Sequence, residues 1–293
     1  MPIRPATPTD ETALVELCTA AFFDESLFGQ TLHPYRHKYP DDVKIFWHET
    51  IRRYFATPGF VVLVAVRTNG NGEEKIGGMA IWERQGDDEG AKKTKEEWVD
   101  YGSFPPLSST QNRAADPTKR NIVDECMLYG AHFWSGDRAN NWYLSLCGIH
   151  PDYQGKGVGR ELVRWGLEKA AQEGVPASVV SSDGNDAFYL RCGFDEIVGD
   201  VTAGEGNPIS SISYPPKRHE AQNTQKCQCG EIPIASPDPT WLEPRFWSPD
   251  TPRIPNLKAT SLPFPTQTSL TPNVCPENDK DVIIHSGLVA RLG

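Results

Sequence analysis

The sequence predicts a mixed α/β fold, a central sheet of about six or seven strands flanked by helices, with an irregular proline-rich tail behind it. Three observations carry this prediction. Apolar runs of strand length and segments of helical period follow one another in the order β-α-α-β-β-α-β-α-β-α-β. A dense glycine turn joins a strand to a helix near the middle of the chain. After Tyr214 the composition changes, and residues 215–293 hold 13 of the 25 prolines.

The elements can be justified in order. Ile3–Pro5 starts a first strand, and Thr7 or Thr9 caps a helix with Asp10 and Glu11 in its first turn and Leu14, Leu17, Ala20 and Ala21 on one face. Phe22 to Tyr39, rich in aromatics, His and Gly, reads as a loop or broken helix, either lining a pocket or packing as ordinary core. Residues 41–56 carry Val43, Phe46, Trp47, Ile51 and Tyr54 at helical spacing. Phe60 to Val66 is a continuous apolar strand, and Lys75 to Glu83 is its hairpin partner across the turn residues Thr68 to Gly72. The charged run Arg84 to Glu97 reads as a solvated insertion. A helix within Pro117 to Phe133 then leads to the strand Trp142 to Ile149. The tail, with few periodic apolar residues, is expected to be extended or disordered, because such a segment buries too little surface to offset its ordering entropy. Its Trp241, Phe246 and Trp247 are candidates for docking on the domain or on another subunit. The division expected is therefore a catalytic domain over 1–214 and a tail over 215–293.

Composition excludes several classes. With 293 residues the chain can bury a sizeable core, and its net charge of -10 argues against nucleic acid as a partner, since phosphate binding relies on clustered Lys and Arg. An acidic balance mildly favours a cationic amine. Seven cysteines without framework spacing suggest reduced thiols inside a cell. Met1-Pro2-Ile3-Arg4 is not followed by an apolar leader, and no apolar run approaches the roughly 18 residues of a membrane span, so a cytoplasmic protein with no membrane contact is expected. Cys227-Gln228-Cys229, with His219, Cys275 and His285, matches no standard zinc spacing, and no metal is expected.

The chemistry lies in Gln154-Gly155-Lys156-Gly157-Val158-Gly159, entered from the strand through His150, Pro151, Asp152 and Tyr153. Three glycines in six residues let successive N–H groups turn toward one point. The helix that follows, with Leu162, Val163, Gly166, Leu167 and Ala170 on one face, adds the positive end of its dipole. Turn and helix start together suit a pyrophosphate. A Walker loop would need Ser or Thr after Gly-Lys, whereas Lys156 precedes Gly157. A dinucleotide fingerprint would need glycine where Arg160 stands, and Asp183, placed as a ribose contact would be, does not repair that spacing.

Gln154-x-x-Gly157-x-Gly159 after a strand resembles the acetyl-coenzyme A motif of the GNAT superfamily of N-acetyltransferases. The strand Ser178–Ser181, then Asn185, then Tyr189 and Cys192-Gly193-Phe194 resemble the family's closing pattern. The run Trp142 to Phe194 is most similar to the puromycin N-acetyltransferase-like small-molecule enzymes, and the resemblance covers residues 1 to about 200. It implies a mostly antiparallel GNAT-type sheet and acetyl-coenzyme A as cosubstrate.

By that resemblance the strand carrying Cys147, Gly148 and Ile149 splays from its neighbour, so that their backbone binds pantetheine and polarises the thioester. Gln154, Gly155, Lys156, Gly157, Val158, Gly159 and Arg160 hold the pyrophosphate, Asn185 contacts the pantetheine arm, and Tyr189 is the general acid at sulfur. Cys147 itself reads as a buried strand residue rather than a nucleophile. Relatives carry a carboxylate where this chain has Val180, which leaves Glu83, Glu125, His132 and His150, or a water relay, as candidates for the base. The function expected is direct transfer of an acetyl group to the amine of a small molecule in a ternary complex. The alternatives are a protein lysine or N-terminal acetyltransferase and a non-catalytic acyl-coenzyme A sensor. Monomer and homodimer both remain open.

Overall fold

The computed structural model describes residues 1–182 and 184–201, and the backbone alone of Ile284–Ala290. The chain divides into two units, Met1–Tyr214 with Asp281–Gly293 and Pro215–Lys280, and every described residue belongs to the first. The expectations for His219, Cys227, Cys229, Trp241, Phe246, Trp247, Cys275 and Asp183, and for the side chain of His285, lie outside the described residues.

The order is β1 (Ile3–Pro5), α1 (Glu11–Phe22), α2 (Val43–Ala56), β2 (Phe60–Thr68), β3 (Glu74–Gln85), α3 (Glu89–Glu96), α4 (Ile122–Gly130), β4 (Asn141–Ile149), α5 (Val158–Glu173), β5 (Ala177–Ser182), α6 (Asp186–Cys192), β6 (Glu196–Gly199) and β7 (Ile284–Ala290). Seven strands form one sheet in the order β1-β2-β3-β4-β5-β7-β6. Only β4 and β5 run parallel; all other neighbours are antiparallel. This is the mixed, mostly antiparallel sheet expected from the sequence.

The sheet separates two cores, and strand periodicity assigns each side chain to one of them. Leu63, Ala65, Ala80, Trp82 and Leu144 face α5 with Leu162, Val163 and Ala170. Val62, Val64, Val66, Met79 and Ile81 face α1 and α2 with Leu14, Leu17, Trp47 and Ile51. β2 reads as an unbroken apolar run because both of its faces are covered. α5 lies close on β3, since a Cβ at Gly166 would sit 2.2 Å from the Trp82 ring, whose indole N–H donates to the Leu162 carbonyl at 3.3 Å. At the hairpin, the Asn69 side-chain oxygen accepts from the N–H groups of Asn71 and Glu73, each at 3.0 Å. That local bonding is why the segment turns where it does.

Two expectations are corrected. Arg84–Glu97 is solvated on its outer face, where Lys92, Lys93, Glu96 and Glu97 are exposed, but not throughout. It contains α3, capped by Asp88 on the Ala91 N–H, and Arg84 is 1% exposed. The Arg84 guanidinium donates to Glu173 at 2.7 Å and to Asp88 at 2.7 Å, while Trp142 Nε1 donates to the other Glu173 oxygen at 3.0 Å. A buried charge is tolerated when paired in this way, and the Glu173 partner is too distant in sequence to be anticipated. The second correction concerns the far end of the tail, since the first unit breaks after Tyr214 but takes up Asp281–Gly293 again. Ile284–Ala290 is a strand of the sheet, antiparallel to both β5 and β6. Averaging over a proline-rich tail concealed it, although no proline follows Pro276.

Candidate active site at the opening of the sheet

β4 and β5 pair only through Trp142↔Ala177, Tyr143↔Ser178 and Leu144↔Val179. Beyond Leu144, β4 keeps its partner β3 as far as Gly78↔Ile149 but has no ladder to β5. The expected splay is therefore present. Its cause is local: the β3–β4 register shifts between Ile81 and Trp82, which leaves Ser145 as the extra residue of a bulge, and a bulge bends its strand. The backbone of Ser145–Ile149 faces the gap.

On the α5 side of the gap lies the glycine turn. Gly157 has φ 80°, a left-handed conformation, and is the N-cap of α5. The first helical bond runs from Glu161 N–H to the Gly157 carbonyl at 3.2 Å, so the amides of Val158, Gly159 and Arg160 point forward without a helical acceptor. Gly159 packs tightly, where an added Cβ would lie 3.2 Å from Phe188 and 3.6 Å from Ile149. Gln154, Gly155, Lys156, Gly157 and Arg160 are exposed, whereas Val158 is buried in the core. Gln154 donates to the Ile149 carbonyl at 3.2 Å, and Lys156 donates to the Asp152 carbonyl at 2.6 Å while lying over the Tyr153 ring. A cavity of about 410 Å³ lined by Arg67, Thr68, Tyr153, Lys156 and Val158 adjoins the turn.

Tyr189 sits on α6, is 9% exposed, and belongs to the same core as Cys147. Its ring packs edge-on against Phe188 and Phe194. Among the described residues no hydrogen bond takes up its hydroxyl. Burial, reinforced by Cys147, Cys192 and Tyr143, pushes this phenol well above its ordinary range. Burial also pushes the Cys147 thiol up to about 12, which removes it as a nucleophile near neutral pH. Asn185 is the N-cap residue of α6 and exposed; its carbonyl accepts from Phe188 N–H at 2.9 Å and Tyr189 N–H at 3.2 Å.

The other side of the gap is assembled from separate elements. Phe22 at the end of α1 abuts Gly148, where a Cβ would lie 2.9 Å from its ring. Phe22, Phe28 and Trp47 stack with centroids 5.1–5.4 Å apart, so the aromatic segment is mainly packing. A π-turn, Ser26–Thr31, is held by the Glu25 carboxylate, which accepts from Leu27 N–H at 2.9 Å and Phe28 N–H at 2.7 Å. Ser182 on β5 reaches that carboxylate at 3.5 Å. Val180 packs with Leu27, Leu32, Ile122 and Cys126, so a hydrophobic contact stands where the resemblance implied a carboxylate.

The sequence reading missed a tyrosine pair on this side. Tyr54 of α2 is hydrogen-bonded to Ser145 at 2.9 Å, on the bulge that opens the sheet. The available signal was a lone serine inside the apolar strand Trp142 to Ile149. Of the base candidates, Glu125 and His132 are exposed, and His132 Nδ1 lies 3.0 Å from the Tyr129 carbonyl. His150 Nδ1 accepts from the Asp152 N–H at 3.2 Å in the turn after β4. Glu83 lies on β3 between Phe60 and Tyr143 and acts electrostatically on both Tyr54 and Tyr143. Among the described residues no group of three or more His, Cys, Asp or Glu is placed to hold a metal, and no helix is long and apolar enough to cross a membrane.

Comparison with known proteins agrees with this geometry. Residues 121–194, which span β4, the glycine turn, α5 and α6, match the Acetyltransferase (GNAT) family. An acetyltransferase of Stachybotrys chartarum is 26% identical over 207 residues, covering 68% of this chain and 82% of that protein. Solved structures matched include a histone acetyltransferase HPA2 and related acetyltransferase from Corynebacterium glutamicum, 17% identical, with a TM-score of 0.43 over 69% of this chain and 88% of that one. A GNAT family acetyltransferase from Brucella melitensis in complex with acetyl-CoA is 16% identical, with a TM-score of 0.32 over 67% and 82%. The sequence matches, together with the turn and the splayed strand, identify residues 121–194 as a segment similar to the GNAT acetyltransferases, and the protein as an acyltransferase.

Proposed function

We propose that the protein transfers the acetyl group of acetyl-coenzyme A directly to the amine of a small molecule, in a ternary complex formed at the gap between β4 and β5. The observation that carries this reading is the stretch Ser145–Ile149, which has no ladder to β5 and leads through His150–Tyr153 into the Gly155–Gly159 turn. In this reading the amides of the turn and of Val158, Gly159 and Arg160, with Gln154 and Lys156, receive the pyrophosphate. The cavity beside Lys156 leaves room for the nucleotide end. The backbone of Cys147, Gly148 and Ile149 receives the pantetheine arm, and Asn185 flanks it. No metal takes part in this chemistry.

Tyr189 serves as the donor to the departing sulfur. A phenol so reluctant to ionise would not protonate an ordinary thiolate, whose conjugate acid has a pKa of roughly 8.5 in water. The surroundings change that balance, because they push the neighbouring Cys147 thiol up to about 12. A coenzyme thiolate forming in that desolvated place is a far stronger base than in water, and the Tyr189 hydrogen bond gains strength as the charge develops.

A small acceptor is favoured by the walls of the opposite side. Phe22, the Glu25-held turn and the cluster around Val180 bound the gap there, with Glu25 and Glu83 suited to a cationic amine. The run from Ile149 to Asp152 and the short spacing from Asn185 to Tyr189 support a place near the puromycin N-acetyltransferase-like enzymes, and Val180 argues for a different acceptor. A cytoplasmic enzyme, acting as monomer or homodimer without membrane or nucleic acid, completes the proposal. The test is thiol release from acetyl-coenzyme A by the full chain over a panel of small primary and secondary amines and of lysine-bearing and N-terminal peptides. Faster turnover on small amines supports the reading, and turnover confined to peptides overturns it.

A further inference from the structure

A chain of side-chain hydrogen bonds crosses the ends of three strands and reaches Glu83. Trp134 Nε1 donates to Ser178 Oγ at 3.0 Å, Ser178 Oγ donates to Asn141 Oδ1 at 2.6 Å, Asn141 Nδ2 donates to Gln85 Oε1 at 3.0 Å, and Gln85 Nε2 donates to Glu83 Oε2 at 2.8 Å. Its direction is fixed at the start, because an indole N–H can only donate. Ser178 must then spend its proton on Asn141, which presents its amide nitrogen to Gln85, which in turn presents its own nitrogen to the carboxylate. Asn141 Nδ2 also donates to the Arg138 carbonyl at 2.9 Å, a bond only this amide orientation permits. Asn141 is fully buried and Ser178 is 2% exposed, so the order cannot be rearranged by water.

The chain ends beside the gap. Glu83 pairs with Tyr143, one residue short of Leu144, where the β4–β5 ladder stops. Alternation along β3 turns Glu83 to the α1–α2 face, the side opposite Trp82 and α5. Tyr54 from α2 and Tyr143 from β4 share that face, and Asp124 of α4 and Arg53 of α2 act on Tyr54. Bonds of this kind serve little purpose for a surface carboxylate. They do fix one oxygen as an acceptor.

We infer that Glu83 is the general base for the acceptor amine and that Gln85 and Asn141 are positioning residues, anchored by Trp134 and Ser178, that hold its carboxylate toward the gap. The inference rests on the acetyltransferase reading above. An ammonium group of the acceptor gives one proton to Glu83, and the freed lone pair forms the C–N bond at the thioester carbon. Collapse breaks the C–S bond, the thiolate takes the Tyr189 proton, and the second proton leaving nitrogen restores the phenol. Glu83 returns its proton to solvent, so each turnover releases one.

The experiment is the pH dependence of kcat for the best small amine, measured on the full chain as wild type, Glu83→Gln, Gln85→Leu and Asp124→Asn, with the acetyl-coenzyme A Kd of each protein as the check on folding. Glu83→Gln is expected to lower kcat roughly 10²- to 10⁴-fold and to remove the acidic limb. Gln85→Leu is expected to lower kcat about tenfold at neutral pH and to move the acidic limb to higher pH, since a carboxylate that loses a donor binds its proton more tightly. A merely structural role for Gln85 would not move that limb. Full activity in Glu83→Gln, an unmoved limb in Gln85→Leu, or loss of the limb in Asp124→Asn instead would overturn the assignment while leaving acetyl transfer intact. Failure of the wild type to release thiol with any amine would overturn both.

Discussion

The two sides of the gap in the sheet are built in different ways. On the α5 side, the turn, the helix start, Asn185 and Tyr189 all come from one stretch, Gln154 to Tyr189. On the α1–α2 side, Phe22, Glu25, Tyr54, Glu83, Ser145 and Val180 come from separate elements spread over most of the domain. In the proposed reading the difference teaches that cosubstrate recognition is a local property of the chain, whereas acceptor recognition is a property of the assembled fold. Backbone amides of a turn need only the right glycines. A pocket of side chains needs every packing partner in place, and it can be rebuilt for another amine without disturbing the turn.

This contrast can be broken most forcefully at Gly157. An added Cβ there meets no neighbouring atom within 4 Å, so crowding at Cβ is not the objection; the φ of 80° is. An L residue in that region costs roughly 1–2 kcal/mol. A carboxylate facing the pyrophosphate adds repulsion. Gly157→Glu should therefore weaken acetyl-coenzyme A binding by about 100-fold or more with the fold intact by circular dichroism, and calorimetric titration reads this directly. Retained affinity would remove the turn from the site.

Tyr189→Phe comes next and sharpens the same side. The ring remains in its aromatic packing and only the hydroxyl is lost, so kcat should fall by about 10- to 100-fold while the Kd for acetyl-coenzyme A stays within about twofold. Equal turnover in the variant would show that the leaving thiolate finds its proton elsewhere.

The opposite side should respond in the other variable. Tyr54→Phe removes the bond to Ser145 on the bulge, a loss of about 0.5–1.5 kcal/mol by the usual worth of such a bond. Efficiency toward the amine should drop a few-fold, with acetyl-coenzyme A affinity unchanged. A matching loss of coenzyme affinity would mean that the two sides are not separable.

The smallest effect is expected at His33, under the aromatic wall. Its Nδ1 lies 2.5 Å from the Phe28 carbonyl, and its Nε2 faces the Asn112 amide nitrogen at 3.0 Å, whose oxygen accepts from Ala114 N–H. These partners select the tautomer of the neutral imidazole with its proton on Nδ1. Burial is the leading cause that holds its pKa below the ordinary 6.5. The unfolded chain then binds the proton first, so this contribution is complete above about pH 6.5 and is lost as pH falls from there toward the depressed folded value. Urea denaturation of the wild type and His33→Gln at pH 7.5 and 5.5 should show a smaller loss in the variant. Parallel losses would contradict the buried neutral histidine.

What was legible in the sequence follows the same division. The order of elements, the long β2 run and the helical faces of α1, α2 and α5 were read from periodicity, because each has apolar residues at the spacing its partners demand. The splay was expected from resemblance, and the bulge at Ser145 supplies its physical reason. β7 was hidden by the composition of its neighbourhood, and the burial of Arg84 beside α3 by a partner, Glu173, at the far end of α5. Tyr54 read only as a core aromatic, since nothing local reveals that its hydroxyl meets Ser145. Val180, by contrast, was visible at once as a departure, and its packing with Leu27, Leu32 and Ile122 gives that departure a structural role.

The measurement that tests the central claim most directly is a calorimetric titration of the full chain with acetyl-coenzyme A, followed in the same cell by a panel of small amines with thiol release recorded. The account predicts one molecule bound per chain and thiol release only when an amine is added. Absence of binding would contradict it.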